Sequence, residues 1–204
     1  MNNPLPRSYF EQSPLTVAKD LIGKYLTVKT PLGVVKSVIV ETEAYLGHLD
    51  PASHAYKRQT KSNEVMFLSP GVLYVYFTYG MHYCMNVKCW PYGTPGAVLF
   101  RGIEPIKGVS TLLKIANKSQ KFELSNLTNG PAKLTKVLKI DKSYNGLDIC
   151  LRSSTVKIFP NDDFKGKICK SPRIGISKNK DKQWRFYLDG NKFVSHFKQS
   201  NFSC

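Results

Sequence analysis

The chain has 204 residues, with 30 Lys and Arg against 14 Asp and Glu, a formal net charge of +16. Hydrophobic residues make up 42%, enough for a packed core and too many for a disordered basic tail, and the length suits one domain. A pI near 9.7 points to a polyanionic partner, and eleven Tyr with eleven Phe to stack on bases favour nucleic acid over a lipid surface.

In chain order, Met1 to Arg7 has no apolar signal core, and no apolar run approaches the roughly 20 residues of a membrane span. Ser13-Pro14 reads as an N-cap followed by Pro at the first helical position. Leu15, Ala18, Leu21 and Ile22 recur at helical spacing, and Gly23 can end that helix. Tyr25 to Lys29 and Val34 to Tyr45 read as strands joined by a turn at Pro31-Leu32-Gly33. A long loop runs from Leu46 to about Val65 and carries His48, His54 and the basic stretch Lys57-Arg58-Gln59; loops of that length are often functional. Leu73 to Val87 is the strongest β signal, a hairpin with Gly80 in its turn. Ala97 to Ile103 is another strand, ending at Glu104-Pro105. Val109 to Ala116 and Pro131 to Leu138 read as helices, and the polar stretch Asn117 to Asn129 as a loop between them. Short strands are expected over Leu147 to Leu151, Val156 to Ile158, Arg173 to Ile176 and Trp184 to Leu188, with a mobile tail from Ser195 to Cys204. With no internal repeat or linker, residues 1–204 read as one α+β domain.

Five cysteines, an odd count without a C-x-x-C pair, argue against a disulfide framework or zinc ribbon and for a reducing, intracellular compartment. His54, His82 and Cys84 could form a metal group only through an unrecognised spacing, and no metal or other cofactor is expected. In so acid-poor a chain, two carboxylates at the end of an apolar strand stand out. Glu41 and Glu43, at i and i+2, point to one face. One base activating a water fits them better than a pair flanking a bond from two sides, and the residues alone do not choose between them. Tyr79 and Met81 flank the hairpin glycine, where an apolar or aromatic wedge can unstack a base step. Tyr45 and Tyr76 could then sandwich the base.

Several stretches resemble the alkyladenine (3-methyladenine) DNA glycosylase family. They are Val40-Glu41-Thr42-Glu43-Ala44-Tyr45-Leu46-Gly47, the downstream His54, Pro70-Gly71 through Tyr79-Gly80-Met81 to Cys84-Met85-Asn86, Val98 to Arg101 with Glu104-Pro105, and Asn129 to Leu134. Arg173 to Ile176 and Arg185-Phe186-Tyr187 extend the match. The fold expected is a single compact α+β domain with a curved, mainly antiparallel β-sheet core, flanking helices and a protruding β-hairpin. The resemblance implies Glu43 as the general base and Arg101 as the residue that helps hold its water. Tyr45, His54 and Tyr76 become walls of the base pocket. Asn86 becomes the amide that restrains attack on guanine. Tyr79 and Met81 are implied to intercalate. The activity implied is base-excision repair by a monofunctional glycosylase, which flips alkylated or deaminated purines from damaged double-stranded DNA and hydrolyses their N-glycosidic bonds. The protein is then expected to be monomeric, to bind no membrane, and to be cytoplasmic on a bacterial nucleoid or nuclear in a eukaryote. A non-catalytic nucleic-acid-binding module would also explain the charge and the aromatics, but leaves Glu43 and Arg101 without a reason.

Overall fold

In a computed structural model, residues 3–78 and 80–195 are described. Five helices are α1 (Arg7–Phe10), α2 (Pro14–Leu21), α3 (Val109–Ala116), α4 (Ser125–Thr128) and α5 (Pro131–Leu138). Eight strands are β1 (Tyr25–Thr30), β2 (Gly33–Tyr45), β3 (Leu73–Thr78), β4 (His82–Lys88), β5 (Ala97–Lys107), β6 (Val156–Phe159), β7 (Ile168–Ser171) and β8 (Arg185–Leu188). They form one antiparallel sheet in the order β3-β4-β5-β2-β1-β6, with β8 pairing both β2 and β7. The α+β expectation therefore holds, as does the hairpin β3–β4, whose turn glycine Gly80 has φ +66°.

Strand β2 positions the two carboxylates. Val34 to Val38 pair with β1 along one edge, and Glu41 to Glu43 pair with β8 along the same edge. The sheet forks between them, where the β2–β5 register slips on either side of Glu41. Such bulges bend a strand and re-aim its side chains. The main core, with Phe10, Leu21, Ile39, Phe100, Ile103 and Leu138, lies against this sheet. A smaller cluster of Ala55, Val65, Met66, Val72, Tyr74 and Ala97 lies under the long loop.

Four sequence expectations need correction. Leu147 to Leu151 is not a strand: it makes one isolated bridge, Asp148 to Val72 just before β3, and the Asp148 carboxylate turns the chain by accepting from Cys150 N–H at 2.9 Å. Asp148 also pairs with Arg7 of α1, a helix whose signal the sequence hides in its brevity. Arg173 to Ile176 is irregular, because Pro172 lacks an N–H, Gly175 takes φ +78° and the Ile174 N–H goes to a side chain; the true strand there is β7. Strand β5 runs past Glu104-Pro105 to Lys107, and Pro105 is tolerated opposite Ser37, where the register slips. The stretch Asn117 to Asn129 contains α4, whose Ser125 and Thr128 are buried. The expected tail falls almost wholly outside the described residues.

The loop after β4 is organised around a cation. Lys88 is 0% exposed, and its Nζ lies 2.7, 2.7, 2.9 and 2.8 Å from the carbonyls of Cys89, Trp90, Pro91 and Thr94. An ammonium has three protons, so the fourth oxygen is held as an ion–dipole contact.

Candidate active site

A cavity of about 430 Å³ opens between β3, β4, β5 and the long loop, lined by Tyr45, His54, Tyr76, Asn86 and Arg101 among others. Five of the eight side chains singled out from the sequence thus converge on one space. Each wall has a local cause. Tyr76 lies on the β3 face that alternation turns inward, half-buried, while its neighbour Phe77 is 55% exposed. Asn86 sits across the hairpin, opposite Tyr74, and donates to the Tyr74 carbonyl at 3.0 Å. His54 stands at the cavity mouth, its ring 4.5 Å from Tyr76 and its Nδ1 2.9 Å from the Tyr74 hydroxyl. Desolvation by that packing lowers the His54 pKa, which favours the neutral ring. Asn63 holds this loop by donating to the His54 and Arg58 carbonyls at 2.8 and 3.1 Å.

Glu43 is 0% exposed and does not itself line the cavity; its neighbours Tyr45 and Arg101 do. Its Oε2 accepts from the Tyr45 hydroxyl at 2.9 Å and lies 3.4 Å from Arg101 Nη1. Its Oε1 accepts from Ile174 N–H at 2.7 Å. Burial, then the Glu43 charge, push the Tyr45 phenol well above its ordinary range, so it stays a neutral donor. Burial would lower the Arg101 pKa, but the charges of Glu43 and Glu41 outweigh it and keep the guanidinium protonated. Glu41, equally buried, does not line the cavity either and is bound by Arg101, Arg185 and Ser195.

Met81 is 70% exposed beside Gly80 at the hairpin tip. Tyr79 lies outside the described residues. The cavity's neighbour, a second space of about 300 Å³, shares Pro51, Ser53, His54 and Lys178 with it and is also lined by Tyr56, Lys57, Arg58 and Thr60. Among the described residues, no three His, Cys, Asp or Glu side chains gather as a metal-holding group, and no helix is long and apolar enough to cross a membrane.

Sequence reasoning missed the support beneath the site. Arg173, 4% exposed, binds Asp50 through Nη1 at 2.5 Å and Nη2 at 2.9 Å, donates to the Ala44 carbonyl at 2.9 Å, and covers the Tyr45 ring at 4.5 Å. It thereby joins the loop bearing His54 to the segment whose Ile174 N–H fixes Glu43. The scarcity of acids that drew attention to Glu41 and Glu43 applies equally to Asp50, and would have found it.

An aromatic cavity beside a buried carboxylate, with Arg101 and Lys178 in its lining and an exposed Met81 on the nearby hairpin, suits an enzyme that takes one base out of a polyanion. Residues 8–192 match the family model described as methylpurine-DNA glycosylase, and the chain belongs to that family. A protein of Prosthecochloris aestuarii named "Putative 3-methyladenine DNA glycosylase" is 44% identical over 191 residues, covering 93% of this chain and 89% of its own. Proteins of the same name from Clostridium perfringens strain SM101 (41% over 204 residues, 94% and 98% covered) and Carboxydothermus hydrogenoformans (44% over 191 residues, 94% and 98% covered) are similar throughout.

Proposed function

We propose that the chain is a 3-methyladenine DNA glycosylase of base-excision repair, with Glu43 as the base that activates water. The observation that carries this reading is the buried Glu43 carboxylate, held by Tyr45, Arg101 and the Ile174 N–H directly behind the aromatic cavity.

Glycosylases act on a base that has left the stack. The extruded purine enters between Tyr45 and Tyr76, whose π-faces favour a cationic, alkylated ring. Met81 and Tyr79 fill the gap in the duplex, offsetting an unstacking cost of roughly a few kcal/mol. Lys57, Arg58 and Lys178 meet the phosphates of the flipped strand. Asn86 stands where the exocyclic amine of an intact guanine would need room.

The chemistry is a hydrolysis. As a water oxygen bonds to the anomeric carbon, Glu43 takes its proton and the bond from carbon to purine nitrogen breaks. The electron pair leaves with the base, neutralising a methylated purine. Each Glu43 oxygen keeps acceptor capacity beyond its bonds to Tyr45 and Ile174, so the water can be held without displacing either. Arg101 remains as the donor that orients it. With no amine acting as nucleophile, the product is an abasic site on an intact strand.

Duplexes carrying a single 3-methyladenine, 7-methylguanine or hypoxanthine test this directly. The expected products are free base and abasic sites that break only after alkali. Release of none of the three bases would overturn the assignment, and strand cleavage without alkali would overturn the water mechanism.

A further inference from the structure

Glu41 is a buried carboxylate with four hydrogen bonds that the reaction above leaves unused. Its Oε1 accepts from Arg101 Nε at 3.0 Å, Arg185 Nε at 2.6 Å and Ser195 Oγ at 2.6 Å, and its Oε2 accepts from Ser195 N–H at 2.7 Å. It is 0% exposed. Arg101 is the residue it shares with the site. Arg101 Nη2 donates to Ser195 Oγ at 3.4 Å, and Nη1 is left 3.4 Å from Glu43.

A guanidinium is a rigid planar fork. With Nε fixed by Glu41 and Nη2 by Ser195, Nη1 can face only Glu43. Yet 3.4 Å is longer than the roughly 2.7–2.9 Å of a full charge-assisted bond. Arg101 is therefore divided, close to Glu41 and at arm's length from Glu43. Two carboxylates and two guanidiniums balance in charge, but the balance is uneven. Glu41 holds the short contacts, and Glu43 keeps an incompletely paired charge.

We propose that Glu41 is a positioning residue for base release: with Arg185 and Ser195 it restrains Arg101 so that Arg101 orients the water without fully pairing with Glu43. This rests on the reading of Glu43 as the base. Burial by itself would raise the Glu41 pKa, but the charges of Arg101 and Arg185 and both Ser195 bonds hold it below the usual range, so it stays an anion. The other ionisable groups facing Glu43 are Tyr45 on β2, Tyr76 on β3 and Cys84 on β4. Burial raises the pKa of all three, so they stay neutral. Arg173, above Tyr45, is matched by Asp50. The charged groups of the cluster are then Glu41, Glu43, Arg101 and Arg185.

The test is the pH profile of single-turnover base release, measured with DNA affinity and thermal melting. Glu41→Gln removes the competing anion, so Arg101 closes on Glu43. The expected result is a rate at pH 7 reduced about tenfold, with the acid limb moved to lower pH by about one unit, since a close opposite charge shifts a carboxylate by one or more units. Ser195→Ala removes a donor to Glu41 and an acceptor from Arg101, drawing Arg101 toward Glu41. Its acid limb should move the other way, by about half a unit on the same grounds. Ser195 is half-buried, so this variant keeps the comparison open even if Glu41→Gln does not fold. A purely structural Glu41 would lower the melting temperature and move neither limb. Unmoved limbs, or an acid limb moved to lower pH in Ser195→Ala, overturn the proposal. Glu43→Gln run alongside separates the two readings: if it remains active the base assignment has failed, and if it is inactive while the limbs stay fixed only the Glu41 proposal has.

Discussion

Asp50→Ala is the sharpest perturbation of the framework that holds the site. Asp50 and Arg173 are both fully buried as side chains and joined at 2.5 and 2.9 Å. Asp50 also accepts from Ala52 N–H at 3.1 Å and Asn179 Nδ2 at 3.1 Å. Removing the carboxylate strands a guanidinium inside the protein, which costs about 3–5 kcal/mol. At about 2–4 °C per kcal/mol for a domain of this size, the melting temperature should fall by about 6–20 °C. Asp50→Ala combined with Arg173→Met should recover a large part of that loss, because no charge is left unpaired. The pH dependence follows with a definite sign. Burial would raise the Asp50 pKa, but the bonds and charge of Arg173 outweigh it and the carboxyl titrates below its ordinary value. Its stabilisation is therefore present above the unfolded value near pH 4 and lost as pH falls through the folded one, so the gap between wild type and variant narrows below about pH 4. Urea and thermal unfolding of the three proteins at several pH values read all of this. A loss below about 1 kcal/mol, the range of an exposed ion pair, would refute the reasoning.

Replacing Lys57 or Arg58 by Ala should weaken binding to lesion and undamaged duplex alike and reduce the slope of log K against log salt by about one each, leaving the saturated rate unchanged. An unaltered slope would remove these cations from the DNA path. Met81→Ala should slow release from a well-paired lesion about tenfold, and release from a mismatched one by less, since a mismatched base costs less to unstack; equal slowing on both would argue against a wedge. Lys88→Met orphans a set of buried carbonyls at about 1–3 kcal/mol each, so a melting temperature close to wild type would mean that the Cys89–Thr94 loop does not depend on the cation.

Much of the site was legible in the sequence because it is carried on periodic elements. The alternation of β3 put Tyr74 and Tyr76 where a pocket could form, and Gly80 marked the tip on which Met81 projects. The acid pair on β2 announced itself through scarcity. The division of roles between Glu41 and Glu43 was hidden, since it depends on which face a bulged strand turns and on partners 60 and 144 residues away in Arg101 and Arg185. The segment 173–176 shows the limit most clearly. Its alternating Ile174 and Ile176 mimic a strand, but Pro172 and the call of the Glu43 carboxylate on the Ile174 N–H forbid one. Lys88 was invisible for the same reason: no local pattern distinguishes a solvated lysine from one enclosed by four carbonyls.

The central claim is that Glu43 activates the water, and Glu43→Gln in a single-turnover assay on 3-methyladenine duplex tests it most directly. Gln keeps the size of the side chain and can still accept the Ile174 N–H bond, so lesion binding should stay within about threefold of wild type. Base release should fall by about two to four orders of magnitude, the usual worth of a positioned base. Binding retained with release lost is the predicted result; release within about tenfold of wild type would contradict the account.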